Sequence, residues 1–350
     1  MTDEIREIIE DIGDNDGWYN ALKLLRWWDD CIMFNIIGGR GCGKTDYLLR
    51  IACELYKRHG CQTTWVRHKL NELSDEGNYK DFLNDAKELG WCPDEWEARE
   101  DGVYNSSEKT ADKVILFASI STFSNKRGSG HPRVLMVVFD EMLPEDGKYK
   151  PNAKMCVKGL LSLMESMTRG RDGSVLFVAS NYVNAGNPYW AKFEIYNDPR
   201  YDVTVYKDKA IAIEVAKGYK RARKEESKLT KLMKAGKMPM YEDERSDPLI
   251  TLVAPVPNGA KPMPYIVLTD GQYYREYTHK GASYWTRWKG SVPNGTLILT
   301  PSVSECGEGV EMLPPIFYKR VQGDIDSNLV RFKDANVMFK ILNLIYDSIT

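Results

Sequence analysis

Apolar runs of strand length alternate with stretches of helical spacing through the first half of this chain. Cys31-Ile32-Met33-Phe34-Asn35-Ile36-Ile37 is one such run, and Tyr47, Leu48, Ile51, Ala52 and Leu55 then recur at helical spacing. The pattern predicts a strand over 31–37, a helix over 44–58 and a strand over 61–66. A helix is expected around 78–89 and a turn at Asp101-Gly102. Further strands are expected at Val114–Ala118, Val134–Phe139 and Val175–Ala179, with a helix over 153–168 before the last. Ahead of the first strand, residues 3–29 read as helical with a break at Gly13–Gly17. There Trp18, Leu22, Leu25 and Trp28 form an apolar stripe that would pack a helical layer beside the strand. Strands alternating with helices imply an α/β fold with a mainly parallel sheet covered on both faces. Ligands of such sheets bind outside the carboxyl ends of the strands.

The texture changes after about residue 200. Lys207 to Lys237 is charge-rich and predominantly basic, including Lys220-Arg221-Ala222-Arg223-Lys224. Short β-like runs then appear at Leu249–Val253, Tyr265–Leu268, Tyr273–Tyr277 and Thr296–Leu299, and a last helix is expected over 327–347. The expected organisation is a nucleotide domain over 1–200 with a helical N-terminal extension, a basic linker over 201–240, and a smaller C-terminal α/β domain over 241–350.

Bulk properties narrow the function. The 48 Lys and Arg residues nearly balance the 50 Asp and Glu residues, for a net charge of -2, which excludes a uniformly basic DNA-coating protein. Local basic surfaces remain open. No stretch approaches the apolar length of a membrane span, and the first residues lack the regions of a signal peptide. The seven cysteines contain no C-x-x-C pair, which suits free thiols in a reducing compartment. His59, His68, His131 and His279 are too scattered to suggest a zinc site.

The chemistry concentrates where the first strand meets its helix. Gly38-Gly39-Arg40-Gly41-Cys42-Gly43-Lys44-Thr45 matches G-x-x-x-x-G-K-[ST], the phosphate-binding loop of nucleoside-triphosphate enzymes. Such a loop offers backbone N–H groups, a helix N-terminus and a lysine to the phosphates. Lys44 is expected on the β- and γ-phosphates and Thr45 on Mg²⁺. The strand Leu135-Met136-Val137-Val138-Phe139 ends in Asp140-Glu141. Asp140 would support the metal, and Glu141 would position or deprotonate the attacking water. Taken alone, the same segment also reads as a strand capped by solvated carboxylates.

Other polar residues gather at neighbouring strand ends. Ser180-Asn181 follows the strand Val175–Ala179 and suits either γ-phosphate sensing or a plain turn. Arg169-Gly170-Arg171 ends the preceding helix, and Lys126-Arg127 lies in the glycine-flanked loop before the Asp140 strand. Both pairs suit a cation supplied to a neighbouring subunit's nucleotide, or a simple charged helix end and loop. Arg40, inside the phosphate loop, suits a phosphate or a carboxylate. Arg67 and Lys69, after the second strand, suit nucleotide or DNA phosphate, or a solvated loop.

In order and spacing across roughly 31–195, these segments resemble the genome-packaging ATPases of phi29-like tailed phages. The match rests on Phe34-Asn35-Ile36-Ile37 running into the phosphate loop, Val137-Val138-Phe139-Asp140-Glu141, Leu160-Leu161-Ser162-Leu163-Met164-Glu165 running into Arg169 and Arg171, and Ser180-Asn181 through Asn187-Pro188-Tyr189-Trp190. The resemblance implies a P-loop ATPase of the ASCE type that uses ATP and Mg²⁺. It implies a ring, pentameric in the family, that pushes double-stranded DNA through a portal into an empty capsid in the host cytoplasm. By matching position, Glu141 is the catalytic carboxylate and Arg169 the trans-acting arginine, with Arg171 and the Lys126-Arg127 pair as other candidates. Lys69 falls near the family's DNA-facing loop. The family's C-terminal domain resembles an RNase H-like nuclease without its catalytic acids, and Asp270 with the C-terminal carboxylates forms no metal-binding pattern. A small packaging RNA is a partner in the family, and the basic linker suits it as well as it suits a solvated helix. Two other functions fit the same motifs: a P-loop helicase or DNA-remodelling ATPase, and a nucleotide-gated DNA-binding adaptor that hardly turns over.

Overall fold

The computed structural model describes residues 3–39, 41–68, 83–107, 111–120, 133–142, 153–168, 173–181, 187–198, 200–219, 252–327 and 329–348. It divides into two compact units, the first holding the described residues up to 142, 158–181 and 196–219, and the second 153–157, 187–195 and 252–348.

The first unit is built on nine strands: β1 (Met33–Gly38), β2 (Gln62–Arg67), β3 (Trp96–Arg99), β4 (Gly102–Asn105), β5 (Asp112–Ser119), β6 (Val134–Asp140), β7 (Val175–Ser180), β8 (Val203–Tyr206) and β9 (Ile211–Ala216). Their order is β3-β4-β5-β2-β6-β7-β1-β9-β8. The six strands from β5 to β9 pair in parallel, while β3, β4 and β8 add antiparallel edges. β1, β7 and β9 are buried along their whole length, which explains their near-continuous apolar character. Helices α1 (Asp3–Ile12), α2 (Leu22–Leu25) and α3 (Lys44–His59) accompany the sheet. α3 buries Tyr47, Leu48, Ile51, Ala52 and Leu55, the face that its periodicity predicts. α1 buries Ile5, Ile8 and Ile9. Trp28 stacks on Phe34 of β1 at 5.0 Å between ring centroids.

Several expectations shift. The helical region at 3–29 is two short helices, and the segment between them runs through Trp18 and Tyr19 without helical structure. The turn at Asp101 belongs to a β3–β4 hairpin whose strands the pattern did not reveal. The sheet also continues past the expected boundary at 200. β8 and β9 lie within the stretch assigned to the linker, and β9 pairs with β1 over six residues. Helix is described over 83–88 only, and the linker's remainder from 220 lies outside the described residues.

The second unit carries β10 (Lys261–Thr269), β11 (Gln272–His279), β12 (Ala282–Arg287), β13 (Leu297–Thr300), β14 (Val310–Met312) and β15 (Val330–Phe332), in the order β14-β13-β10-β11-β12-β15. β10, β11 and β12 form an antiparallel meander, and β13, β14 and β15 join in parallel. Helix α4 (Ala153–Thr168) begins within this unit's residues and continues into those of the first. α5 (Pro188–Phe193) starts on an Asn187 cap that accepts the Trp190 amide at 3.0 Å, with Pro188 at the position where a missing N–H costs nothing. It packs against α7 (Ala335–Ser348). The single helix expected over 327–347 is instead strand β15 followed by α7, with a further helix, α6 (Pro315–Asp326), ahead of them. Val330 and Phe332 are buried in the sheet, and Asp334 caps the new helix by accepting the Val337 amide at 3.0 Å. Within this unit Glu276 is fully buried and answered by Arg320 at 2.6 and 2.8 Å and by the Ser283 hydroxyl at 2.7 Å. Asp270 pairs with Lys340. Among the described residues no group of three or more His, Cys, Asp and Glu side chains could hold a metal ion, and no helix is long and apolar enough to cross a membrane.

Candidate functional site

The site forms where β1, β6 and β7 end side by side. β1 delivers the glycine loop, β6 delivers Asp140 and Glu141, and β7 delivers Ser180. One pocket of about 240 Å³ is lined by Gly41, Gly43, Lys44, Thr45, Asp46, Asp140, Glu141, Ser180 and Asn181. Residues separated by more than a hundred positions therefore meet because the parallel strands share a carboxyl end.

The loop geometry suits phosphate. Gly43 has a φ of 88°, a left-handed conformation that favours glycine, and α3 begins at the next residue without a side-chain cap. Its first N–H groups, with the positive end of the helix dipole, are those an anion would engage. Lys44 is buried, and its Nζ donates to the Gly38 and Gly39 carbonyls at 3.0 and 2.9 Å. It lies 3.7 Å from Cys42 Sγ.

The acidic half is held by hydrogen bonds. Thr45 Oγ1 donates to Asp140 Oδ1 at 3.2 Å, so hydroxyl and carboxylate converge on one side of the pocket. Asp140 is only 2% exposed. Arg67, at the end of β2, donates to Asp140 at 2.7 Å and to Glu141 at 3.2 Å. Glu141 has a φ of 55°, unusual for a residue with a side chain, directly where β6 ends. Asp46 adds a further carboxyl to the pocket. Burial pushes its pKa up, as do Asp85 and Asp140, against the opposing effect of Lys44. His68 lies 2.6 Å from the Met142 carbonyl and packs against Phe139, bracing the chain after the acids.

Of the residues expected from sequence, Lys44, Thr45, Asp140, Glu141, Ser180 and Asn181 come together, with Gly38, Gly39, Gly41, Cys42 and Gly43 forming the described part of the loop. Arg40, Lys69, Lys126, Arg127, Arg169 and Arg171 lie outside the described residues. Arg67 meets the two acids of its own chain, a role that the spacing of the motifs did not suggest. Asp46 was also missed; its place next to Thr45, in the first turn of the phosphate-loop helix, was the available signal.

β7 lies between the loop-bearing β1 and the acid-bearing β6. That strand order, with this pocket, defines a P-loop fold of the ASCE type. The chain matches, over residues 13–247, the family model described as Podovirus DNA encapsidation protein (Gp16), and it belongs to that family. DNA packaging proteins of Bacillus phages PZA and phi29 are each 30% identical to it over 202 residues. That likeness covers 57% of this chain and 57% of each relative, so the match spans less than two thirds of their length. A solved structure described as the Phi-28 gp11 DNA packaging motor superposes with a TM-score of 0.63 at 17% identity, covering 96% of this chain and 99% of that one. At that identity the likeness is one of fold.

Proposed function

We propose that this chain is the ATP-hydrolysing subunit of a viral motor that drives double-stranded DNA through a portal into an empty capsid. The observation that carries the reading is the convergence of Lys44, Thr45, Asp140 and Glu141 on one pocket, in a chain of the DNA encapsidation family. In this reading the loop amides and Lys44 bind the β- and γ-phosphates of ATP. Glu141 orients a water for in-line attack on the γ-phosphate and takes its proton. Ser180 and Asn181, which line the same pocket, would sense the γ-phosphate.

The donor set suits Mg²⁺. A hydroxyl and a buried carboxylate 3.2 Å apart are hard oxygen donors. Mg²⁺ sites of this class use one or two carboxylates, with substrate phosphates and water completing the shell. Thr45 and Asp140 would hold the ion, which neutralises phosphate charge when bound. Lys44 and Arg67 are the cations that the described residues place beside the carboxylates.

The ring, pentameric in this reading, would take Arg169 from a neighbouring subunit to complete each site. DNA contacts would be to the phosphate backbone, because a packaging motor must accept any sequence, and they would weaken steeply with salt. The test is Glu141→Gln assayed for ATP binding and DNA-stimulated turnover. Retained binding with turnover lowered by roughly 10²–10⁴-fold is expected for loss of a general base. Turnover at the parent rate refutes the assignment.

A further inference from the structure

A buried polar network ties the segment before β1 to the outside of the phosphate loop. At its centre is Glu214, fully buried on β9 opposite Ile36 of β1 and Val203 of β8. The Tyr19 hydroxyl donates to Glu214 Oε2 at 2.9 Å, and the Tyr219 hydroxyl reaches Oε1 at 3.3 Å. Tyr219 also lies 3.3 Å from the Asn20 carbonyl. The Tyr19 ring packs edge-on against Tyr47 of α3 and against Tyr219, with centroids 5.6 and 5.3 Å apart. Asn15 joins in, donating to the Tyr19 carbonyl at 3.1 Å and accepting from Arg50 of α3 at 3.2 Å.

The network touches the loop through main chain. The Tyr19 amide donates to the Cys42 carbonyl at 3.0 Å. Trp18 fills the space beside Gly43, where an added Cβ would lie 3.6 Å from its ring. A trans peptide is planar, with its C=O and N–H pointing in opposite directions. Fixing the Cys42 carbonyl from outside the loop therefore fixes the direction of the Gly43 N–H. That N–H is one of the group through which such a loop holds phosphate.

We propose that Glu214 is a positioning residue for nucleotide binding, acting through Tyr19 on the Cys42–Gly43 peptide of the phosphate loop. The inference rests on the reading of that loop as the nucleotide site. A carboxyl here is costly to bury unless hydrogen-bonded, and its two nearest partners are the tyrosine that grips the loop and the tyrosine that grips Asn20. Burial pushes Glu214 up to about 7, opposed by the hydroxyls of Tyr19 and Tyr219 and by Lys23, and reinforced by Asp202. Tyr47, which also faces it, is pushed up to about 12 by burial and so stays neutral while Glu214 titrates. Tyr19 and Tyr219 are raised as well, burial being the largest cause. The group that changes charge near neutral pH is thus the carboxyl. Its ionised form accepts hydroxyl hydrogen bonds more strongly than its neutral form. The brace is tighter above pH 7 than below it.

The experiment is titration calorimetry of the full chain with a non-hydrolysable ATP analogue and Mg²⁺ at pH 6 and pH 8, comparing the parent with Glu214→Gln and Tyr19→Phe. Taking the variant-to-parent ratio of Kd at each pH cancels the nucleotide's own titration. For Glu214→Gln the ratio should lie near one at pH 6, where the amide mimics the neutral acid. It should rise about fivefold by pH 8, the difference between a charge-assisted and a neutral hydrogen bond. Tyr19→Phe keeps the ring and loses the hydroxyl, so it should show the same pH-dependent loss, and it carries the test should Glu214→Gln fail to fold. Ratios that stay flat with pH, while the parent binds the analogue, overturn the positioning role. A parent that binds no nucleotide overturns the nucleotide site itself, and the inference with it.

Discussion

The first glycine of the phosphate loop is set by its neighbour in the sheet, and this makes a quantitative prediction. Gly38 pairs with Ala216 at the end of β1 and β9. Its φ is not in the left-handed region, so alanine would meet no conformational strain there. The obstacle is space: a Cβ added at Gly38 would lie 2.8 Å from the Ala216 Cβ and 3.2 Å from its carbonyl oxygen. Ordinary carbon contacts lie at about 3.5–4.0 Å, so the strands must part by roughly 0.7 Å or more. Overpacking on this scale costs about 1–3 kcal/mol. For a unit of this size a loss of about 2 kcal/mol lowers the melting temperature by roughly 4–8 °C. Ala216→Gly removes the nearer obstacle but leaves the carbonyl. On its own it should cost about 0.5–1 kcal/mol as a glycine in a strand. The assay is a double-mutant cycle of Gly38→Ala and Ala216→Gly by urea unfolding. The expected coupling is about 1–2 kcal/mol in the direction of rescue. Additive losses, or a Gly38→Ala protein as stable as its parent, refute the close-approach argument.

Two further outcomes follow from the charged groups. Arg67→Ala leaves the buried Asp140 and the half-buried Glu141 without their guanidinium, which should cost about 3 kcal/mol of stability in a melting experiment, nearly all of it from Asp140. Arg67→Lys should recover little of it, because an ammonium cannot span both carboxylates as the planar fork does; full recovery by lysine contradicts that geometry. Glu214 makes stability depend on pH. Its folded pKa of about 7 lies above the ordinary 4.5, so its contribution is complete below pH 4.5 and is lost as pH rises through 7. Across that window the parent should lose about 3 kcal/mol relative to Glu214→Gln, read as a growing difference in urea midpoints between pH 5 and pH 8. A difference that is constant with pH would place the carboxyl's titration elsewhere.

Most of the site could be read in the sequence because its parts are local. The phosphate loop with β1 and α3, and the acids that close β6, are each continuous segments flanked by apolar runs. What escaped has a physical cause in each case. β3 and β4 form an antiparallel edge of four residues each; β3 carries the exposed Glu97 and Arg99, and β4 opens on Gly102, so neither shows an apolar run of strand length. β9 is a core strand interrupted by Glu214, and it follows the exposed Lys207–Lys209 turn, so its surroundings read as linker. Arg67 meets partners 73 and 74 positions away, and Tyr19 meets Glu214 across 195 positions. No local pattern encodes such pairings; the sheet order creates them. In the second unit Val330-Arg331-Phe332 alternates as a strand does, but over three residues the alternation is too short to stand out beside the helix that follows, and pairing with β12 fixes it.

DNA uptake is the direct measure of a packaging motor. Empty capsids carrying a portal, linear double-stranded DNA, ATP and Mg²⁺ are mixed with the parent or with Glu141→Gln, and DNA protected from nuclease is counted. The parent should protect DNA only when ATP is present. Glu141→Gln should bind ATP and protect none. Uptake by Glu141→Gln at the parent level, or ATP hydrolysis by the parent without any protected DNA, contradicts a packaging motor driven by this site.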